Sequence, residues 1–216
     1  TSANSINISR LLAQVCYYFE AASRFDAGNL VISVPSGNFG NLTAGIIAKK
    51  IGAPIRRFIA ATNANDTVPR YLIEHTWSPN KTIETAANAM DVSDPSNWPR
   101  IMALYNNDIN ALKYDISATI KTDEQTFLAM EQLQIEDYIA EPHTAIAYAG
   151  LIESIQDDEQ GVFVSTAHPA KFIETVEKVL KIKLDLPQAL AKVQDLPNLS
   201  QSISNDSDKF NQMLLK

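Results

Sequence analysis

The sequence has almost no cysteine and no long apolar run. Its single cysteine, Cys16, excludes an intramolecular disulfide and the metal sites that are built from several cysteines. No apolar stretch approaches the roughly 20 residues that a helix needs to span a bilayer, and the first residues do not resemble a signal peptide. We therefore expect no membrane partner, and a reducing cytoplasm is the simplest location for the protein.

Positive charge is also scarce. The chain has 18 Lys and Arg against 25 Asp and Glu, a formal net charge of -7. A negative chain repels phosphate backbones, and Lys49–Lys50 with Arg56–Arg57 is too short to form a basic stripe. We expect no nucleic-acid partner.

The chain also has no initiator Met and enters a helical pattern almost at once, so we expect it to be cut from something longer. Asn4 and Ser5 are predicted to cap the first helix. Its apolar residues recur every three or four positions, namely Ile8, Leu11, Leu12, Val15, Tyr18, Phe19 and Ala22.

What is present is the composition of a globular protein, with 216 residues of which 45% are hydrophobic and 20% charged. The apolar runs Leu30–Val34 and Ile55–Ala61 predict buried strands, separated by a helix over Leu42–Ile51. A third strand is predicted at Gly161–Ser165. These elements predict an α/β fold with an open, mostly parallel sheet flanked by helices.

Further helices are predicted between and after these strands. One begins at Thr67, and one runs from Trp98 to about Leu112. Thr122 starts a capping box ahead of another helix. Thr144–Ile155 and a segment after Pro169 complete the set, and residues 182–216 are predicted to form loops or short helices.

The segment Pro35–Asn41 is a candidate anion-binding loop because it joins a buried strand to a helix N-terminus. Gly37 and Gly40 would let backbone N–H groups turn inward, and Asn38 and Asn41 tolerate left-handed conformations. The spacing is neither G-x-G-x-x-G nor the Walker sequence, so neither NAD nor ATP is favoured. A glycine-rich turn without a ligand remains an alternative at this point.

Three segments together resemble the threonine synthase family: Asn4–Arg10 (NSINISR), Pro35–Asn41 (PSGNFGN) and Ser165–Phe172 (STAHPAKF). Ala60–Arg70 and Glu141–His143 extend the resemblance, which covers the whole chain in order. It implies the large domain of a fold-type II pyridoxal-phosphate (PLP) enzyme, of the tryptophan-synthase-β type. Such enzymes convert O-phospho-L-homoserine and water to L-threonine and phosphate.

The resemblance also implies a role for particular residues. Main-chain N–H groups of one loop hold the PLP phosphate in this family, and the matching residues are Gly37, Asn38, Phe39, Gly40 and Asn41. Thr166 matches the hydroxyl that bonds the pyridine nitrogen. Asn4, Ser5 and Arg10 match the substrate site, with Arg10 facing the substrate phosphate. The family often has Asp at position 41, which matters little if the contact is a backbone N–H.

The family's Schiff-base lysine lies in a Gly-Pro-Thr-x-x-Phe-Lys-Asp type of segment, and this sequence contains none. Lys49, Lys113 and Lys171 stand in other contexts. The resemblance therefore implies that residues 1–216 are a C-terminal portion, that the lysine lies in a missing N-terminal half, and that this chain alone is inactive.

Two other functions are considered. One is another PLP elimination or replacement enzyme of the same fold, similar to threonine dehydratase or cysteine synthase, although Arg10 favours a phosphorylated substrate. The other is a non-catalytic module that binds a phosphate ligand. His143 invites an acid/base role but is more often structural, and Glu141 has no partner visible in the sequence.

Overall fold

The structure of the protein is a computed structural model that describes residues 6–26, 28–193, 195–200, 202–204 and 206–215. Two compact units divide the chain, Thr1–Leu184 and Asp185–Lys216. The first unit contains the sheet. In the second, α9 (Gln188–Ala191) and α10 (Ser207–Leu214) have no buried residue. Within the described ranges, no helix is long and apolar enough to cross a membrane.

The sheet has four strands in the order β3-β2-β1-β4, and every pairing is parallel. The strands are β1 (Leu30–Pro35), β2 (Ile55–Thr62), β3 (Ile116–Ile120) and β4 (Gln160–Phe163). Because β1 pairs with both β2 and β4, its carboxyl end lies beside theirs at one edge of the sheet. The α/β class and the parallel sheet predicted from the sequence are confirmed.

Helices precede, connect and follow the strands. Those of the first unit are α1 (Ile8–Ala22), α2 (Gly40–Lys50), α3 (Thr67–Glu74), α4 (Trp98–Leu104), α5 (Ile109–Asp115), α6 (Asp123–Ile135), α7 (Pro142–Ser154) and α8 (Ile173–Leu180). The predicted capping box is present at the start of α6, where Thr122 and Gln125 bond each other's backbone. Short 3-10 turns occur at Asn88–Met90 and Pro169–Phe172.

Helices cover both faces of the sheet, which explains why β1 is buried along its whole length. Leu30, Ile32 and Val34 belong to the main core cluster, together with residues of α1 and α2. Val31 faces the other way and packs with Leu151 of α7. A strand enclosed on both faces needs apolar side chains at successive positions, which is the pattern in the sequence.

Helix α1 is capped by Asn7, whose Oδ1 accepts a hydrogen bond of 3.0 Å from the N–H of Ser9. The predicted cap at Asn4 and Ser5 is therefore wrong, and both residues lie outside the described ranges. The apolar stripe is also only partly buried, because one side of the helix faces the core. Its buried residues are Leu11, Val15, Tyr18 and Ala22, while Ile8, Leu12 and Phe19 are exposed.

Two local predictions differ from the structure. The helix predicted from Trp98 to about Leu112 is two helices, because Asn106 and Asn107 adopt left-handed φ angles of 52° and 59°. Asp108 then caps α5. Strand β3 was not predicted at all. The third predicted strand exists as β4 but spans Gln160–Phe163, so Ser165 lies beyond its end.

Candidate functional site

The loop between β1 and α2 is a tight strand-to-helix turn, as predicted. The strand ends at Pro35 and the helix begins at Gly40. The left-handed residue is Phe39, with a φ of 60°, and not one of the asparagines that the sequence suggested. Helix α2 has no side-chain cap at its N-terminus, so its first N–H groups face the loop side without a competing side-chain acceptor.

Gly37 is glycine for a packing reason. A Cβ atom added there would lie 2.5 Å from Met90 Cα and 2.8 Å from Met90 O. These are backbone atoms, which cannot move aside as a flexible side chain can. The loop is therefore pressed directly against the main chain of the Asn88–Met90 turn, and any larger residue would displace it.

Asn38 fastens the same loop to the segment that precedes α4. Its Oδ1 accepts hydrogen bonds from the N–H of Ser96 at 2.7 Å and the hydroxyl of Ser96 at 3.0 Å. Its main-chain carbonyl accepts a 2.9 Å bond from Nδ2 of Asn97. These bonds fix the backbone of the loop before any ligand arrives.

Asn41 connects α2 to α1 through its side chain. Its Oδ1 accepts hydrogen bonds from the hydroxyls of Tyr17 and Tyr18, the second at 2.7 Å. Burial raises the pKa of Tyr17 to about 12 and raises that of Tyr18 well above its usual value, so both phenols stay protonated donors. With Oδ1 engaged in this way, the Asn41 side chain could meet an anion only through Nδ2.

The structure brings the candidate loop, Thr166 and Arg10 together around one cavity of about 270 Å³. Thr166 follows β4 and the loop follows β1, and these neighbouring parallel strands end at the same edge. Arg10 reaches the cavity from α1. The lining residues are Arg10, Gln14, Pro35, Gly37, Asn38, Phe39, Gly40, Asn41, Ala89, Met90, His143, Thr166, Ala167, Lys171 and Phe172. The candidates Asn4 and Ser5 lie outside the described residues.

Lys171 lines this cavity although it was not among the predicted site residues. Together with Arg10 it gives the cavity two cationic side chains, and both are solvent-exposed. The signal was available, because Lys171 lies inside the Ser165–Phe172 segment. Two cations beside a helix N-terminus favour a ligand with more than one negative charge.

Glu141 is a second feature that the sequence did not reveal. Its side chain is fully buried, yet it accepts hydrogen bonds from both the N–H groups and the side chains of His143 and Thr144. Burial alone would raise the pKa of Glu141, but these bonds outweigh it and hold that pKa below its usual range. The hydroxyl of Ser165, next to Thr166, donates a 3.2 Å bond to the oxygen of Thr144, whose own proton is donated to Glu141.

The site carries the chemistry of anion binding. Among the residues that the structure describes, no group of three or more His, Cys, Asp or Glu side chains could hold a metal ion. The cavity instead combines backbone N–H donors, a threonine hydroxyl and two cations. Those groups suit an organic phosphate.

Comparison with known proteins agrees with this geometry. The crystal structure of threonine synthase from Escherichia coli matches with a TM-score of 0.91 and 50% identity, over 100% of this chain and 51% of that one. A PLP-bound threonine synthase from Brucella melitensis matches with a TM-score of 0.88 and 28% identity, over 99% of this chain and 52% of that one. The fold is that of the large domain of fold-type II PLP enzymes.

The sequence comparisons are more specific. Residues 144–214 match the family model "Threonine synthase, C-terminal". The threonine synthase of Haemophilus influenzae is 52% identical over 100% of this chain and 51% of its own length. The chain thus spans about half the length of the curated relatives it matches, and it belongs to the threonine synthase family.

Proposed function

We propose that residues 1–216 are the C-terminal, PLP-binding portion of a threonine synthase, which converts O-phospho-L-homoserine and water to L-threonine and phosphate. The observation that carries this proposal is the convergence of the 37–41 loop, Thr166 and Arg10 on one cavity. The match along the whole chain to proteins named threonine synthase supports it. A cytoplasmic location is part of the proposal, since the lone thiol of Cys16 needs no oxidising compartment.

The residues present fit the cofactor in two places. The N-terminus of α2, which has no side-chain cap, and the backbone of Gly37–Asn41 would hold its phosphate, because backbone N–H groups and the helix dipole attract an anion. The hydroxyl of Thr166 would meet the pyridine nitrogen. When bound, PLP supplies an electron sink for elimination and replacement chemistry. A neutral hydroxyl does not force protonation of the ring as a carboxylate would.

Arg10 is proposed to bind the substrate phosphate, with Asn4 and Ser5 as further substrate contacts. A guanidinium group presents a planar fork of donors that matches phosphate oxygens, and its charge stabilises phosphate as it leaves. Lys171 lies on the same cavity and adds a second cation toward that anion.

The lysine that attaches the cofactor is proposed to lie in an N-terminal half, the partner with which this portion forms the complete site. Lys49 is engaged elsewhere, bonding the carbonyl of Arg56 and Asp115 at 2.6 Å. Lys171 belongs to the Ser165–Phe172 segment. The relatives are about twice as long as this chain, which leaves room for the missing parts.

An Arg10→Ala substitution in the full-length protein tests this function. We expect a higher KM for O-phospho-L-homoserine and a lower kcat, a loss of about ten- to a hundredfold in kcat/KM, because a charge-assisted contact to phosphate is removed. The matched control is Arg24→Ala, two residues after the end of the same helix, which removes only an exposed pair with Glu20.

Three results would contradict the proposal, one from the Arg10→Ala variant and two from the wild-type full-length protein. Unchanged kinetics in Arg10→Ala would remove the substrate role of that residue. A wild-type enzyme that acts on an unphosphorylated amino acid in preference to O-phospho-L-homoserine would favour the dehydratase-like alternative. A full-length protein that binds PLP phosphate without any turnover would favour the binding module.

A further inference from the structure

The hydrogen bonds around His143 fix which of its ring nitrogens carries a proton. Nδ1 is bonded to Oε2 of Glu141, a carboxylate whose pKa is held low by its hydrogen bonds. A carboxylate only accepts, so Nδ1 must carry the proton. The side chains of His143 and Glu141 are 5% and 0% exposed, so water does not compete for this contact.

The second ring nitrogen faces a backbone donor. The N–H of Ala89 donates a 3.2 Å hydrogen bond to Nε2 of His143. Nε2 must therefore offer a lone pair, and His143 is neutral with its proton on Nδ1. A proton on Nε2 would place two donors against each other and leave the N–H of Ala89 without its acceptor.

Ala89 is the first of two residues that connect His143 to the candidate phosphate loop. The next residue, Met90, is the one whose main chain packs against Gly37. Ala89 and Met90 themselves line the cavity, as does His143. The position of the 37–41 loop thus depends on a backbone turn that is held in place by its hydrogen bond to His143.

We propose that His143 is a positioning residue for cofactor binding: its Nε2 lone pair fixes Ala89–Met90, and these two residues hold Gly37 and its loop in the shape that receives the PLP phosphate. Glu141 orients the ring by keeping the proton on Nδ1. This inference rests on the proposed function, because it assigns PLP phosphate to the loop.

Two substitutions separate this role from ordinary core packing. The side chain of Gln extends about as far as Nε2, so His143→Gln keeps an acceptor for the N–H of Ala89. The side chain of Asn extends only about as far as Nδ1, so His143→Asn keeps a donor for Glu141 and loses the acceptor. Both variants remove the same ring from its contact with Phe172.

The experiment measures the PLP dissociation constant of the full-length protein and of both variants, by titrating each apoprotein and following the cofactor's absorbance. We expect His143→Gln to bind PLP within about threefold of the wild type, and His143→Asn to bind about tenfold more weakly. The apoproteins should melt at similar temperatures. Equal affinities for the two variants, or the reverse order, would overturn the inference.

A measurement on the unmodified protein keeps the inference testable if the variants fold poorly. The ¹⁵N shifts of the His143 ring should identify Nε2 as the nitrogen without a proton in the PLP-bound protein, and a proton on Nε2 would refute the mechanism. Failure of the cofactor assignment on which this inference rests has a different signature, because the wild-type protein would then bind no PLP at all, and failure of the substrate assignment would leave PLP binding and both variants' affinities as expected.

Discussion

Glu159 and Arg57 join β2 to the start of β4 through a buried ion pair. Arg57 donates bonds of 2.7 Å and 2.6 Å to the two carboxylate oxygens of Glu159, whose side chain is only 1% exposed. The hydrogen bond from Arg57 lowers the pKa of Glu159, more than burial raises it. A lowered pKa in the folded state means that the unfolded chain binds the proton more readily.

This ion pair leads to a prediction of how the free energy of unfolding decreases at acidic pH. The contribution of Glu159 is fully present above its usual pKa of 4.5 and is lost as the pH falls through the lower folded value. Glu159→Gln should cost about 3 kcal/mol at neutral pH, because it leaves the buried charge of Arg57 without its carboxylate partner, and the difference should shrink as the pH falls below about 4.5.

Urea denaturation across pH would measure this effect. Glu131→Gln is a suitable control, because Glu131 is exposed on α6. A difference between wild type and Glu159→Gln that did not change with pH would contradict the assignment.

The close packing at Gly37 leads to a second prediction for a single residue, which concerns the affinity for PLP. Gly37→Ala should weaken PLP binding by the full-length protein at least about tenfold, because the added Cβ would lie 2.5 Å from Met90 Cα and must displace the loop. Titration of the apoprotein with PLP would test this expectation.

Gly52→Ala is the control for general destabilisation. Gly52 has a φ of 113° and lies just after α2, with no atom within 4 Å of an added Cβ. Strain there should cost about 1 kcal/mol of stability and leave PLP affinity unchanged. Similar losses of affinity in both variants would mean that the effect of Gly37→Ala comes from stability alone.

At the scale of elements, the break between α4 and α5 depends on three consecutive polar residues. Asn106 and Asn107 adopt the left-handed conformation, which asparagine accepts more readily than most residues. Asp108 then accepts hydrogen bonds from the N–H groups of Asn110 at 2.9 Å and Ala111 at 3.2 Å. The helix predicted from Trp98 to about Leu112 ran across this break, and the turn and cap chemistry decided the structure.

Removing that cap has a predictable cost. Asp108→Ala should lower the free energy of unfolding by about 1 kcal/mol, because two N–H groups at the start of α5 lose their acceptor. Asp108→Ser should recover most of the loss, since a serine oxygen also caps. Chemical denaturation measures both, and equal stability of Asp108→Ala and wild type would mean that the bonds contribute nothing.

At the scale of the whole molecule, the proposed cofactor site lies at one edge of the sheet, and we propose that this chain supplies only part of it. The loop and Thr166 are present, and Arg10 joins them from α1. The segment typical of the family's Schiff-base lysine does not occur in the sequence. The chain spans about half the length of the curated relatives it matches, in keeping with the proposal that an N-terminal half completes the site.

The isolated chain is therefore predicted to form no threonine from O-phospho-L-homoserine, with or without added PLP. Purification from a host without its own threonine synthase removes the contaminating activity that could mimic a positive result. Phosphate release and threonine would both be measured, with the full-length protein as the positive control. Steady-state turnover by the isolated chain would contradict the proposed division of the site.

The sequence by itself determined the features that depend on neighbouring residues. A continuous apolar run predicted β1, because a strand covered on both faces needs apolar side chains throughout. The turn of Pro35–Asn41 and the capping box at Thr122 follow from local backbone chemistry. The pattern of strands and helices predicted the α/β class, and the segments around Arg10, Gly37 and Thr166 indicated the family.

Tertiary structure alone decided the contacts between residues that are distant in the chain. Gly37 must be glycine because Met90 packs on it, and Nε2 of His143 accepts a hydrogen bond from the N–H of Ala89, 54 residues away. Strand β3 was missed because its pattern is short, and pairing with β2 stabilises it. These features arise from packing in three dimensions, which sequence periodicity does not encode.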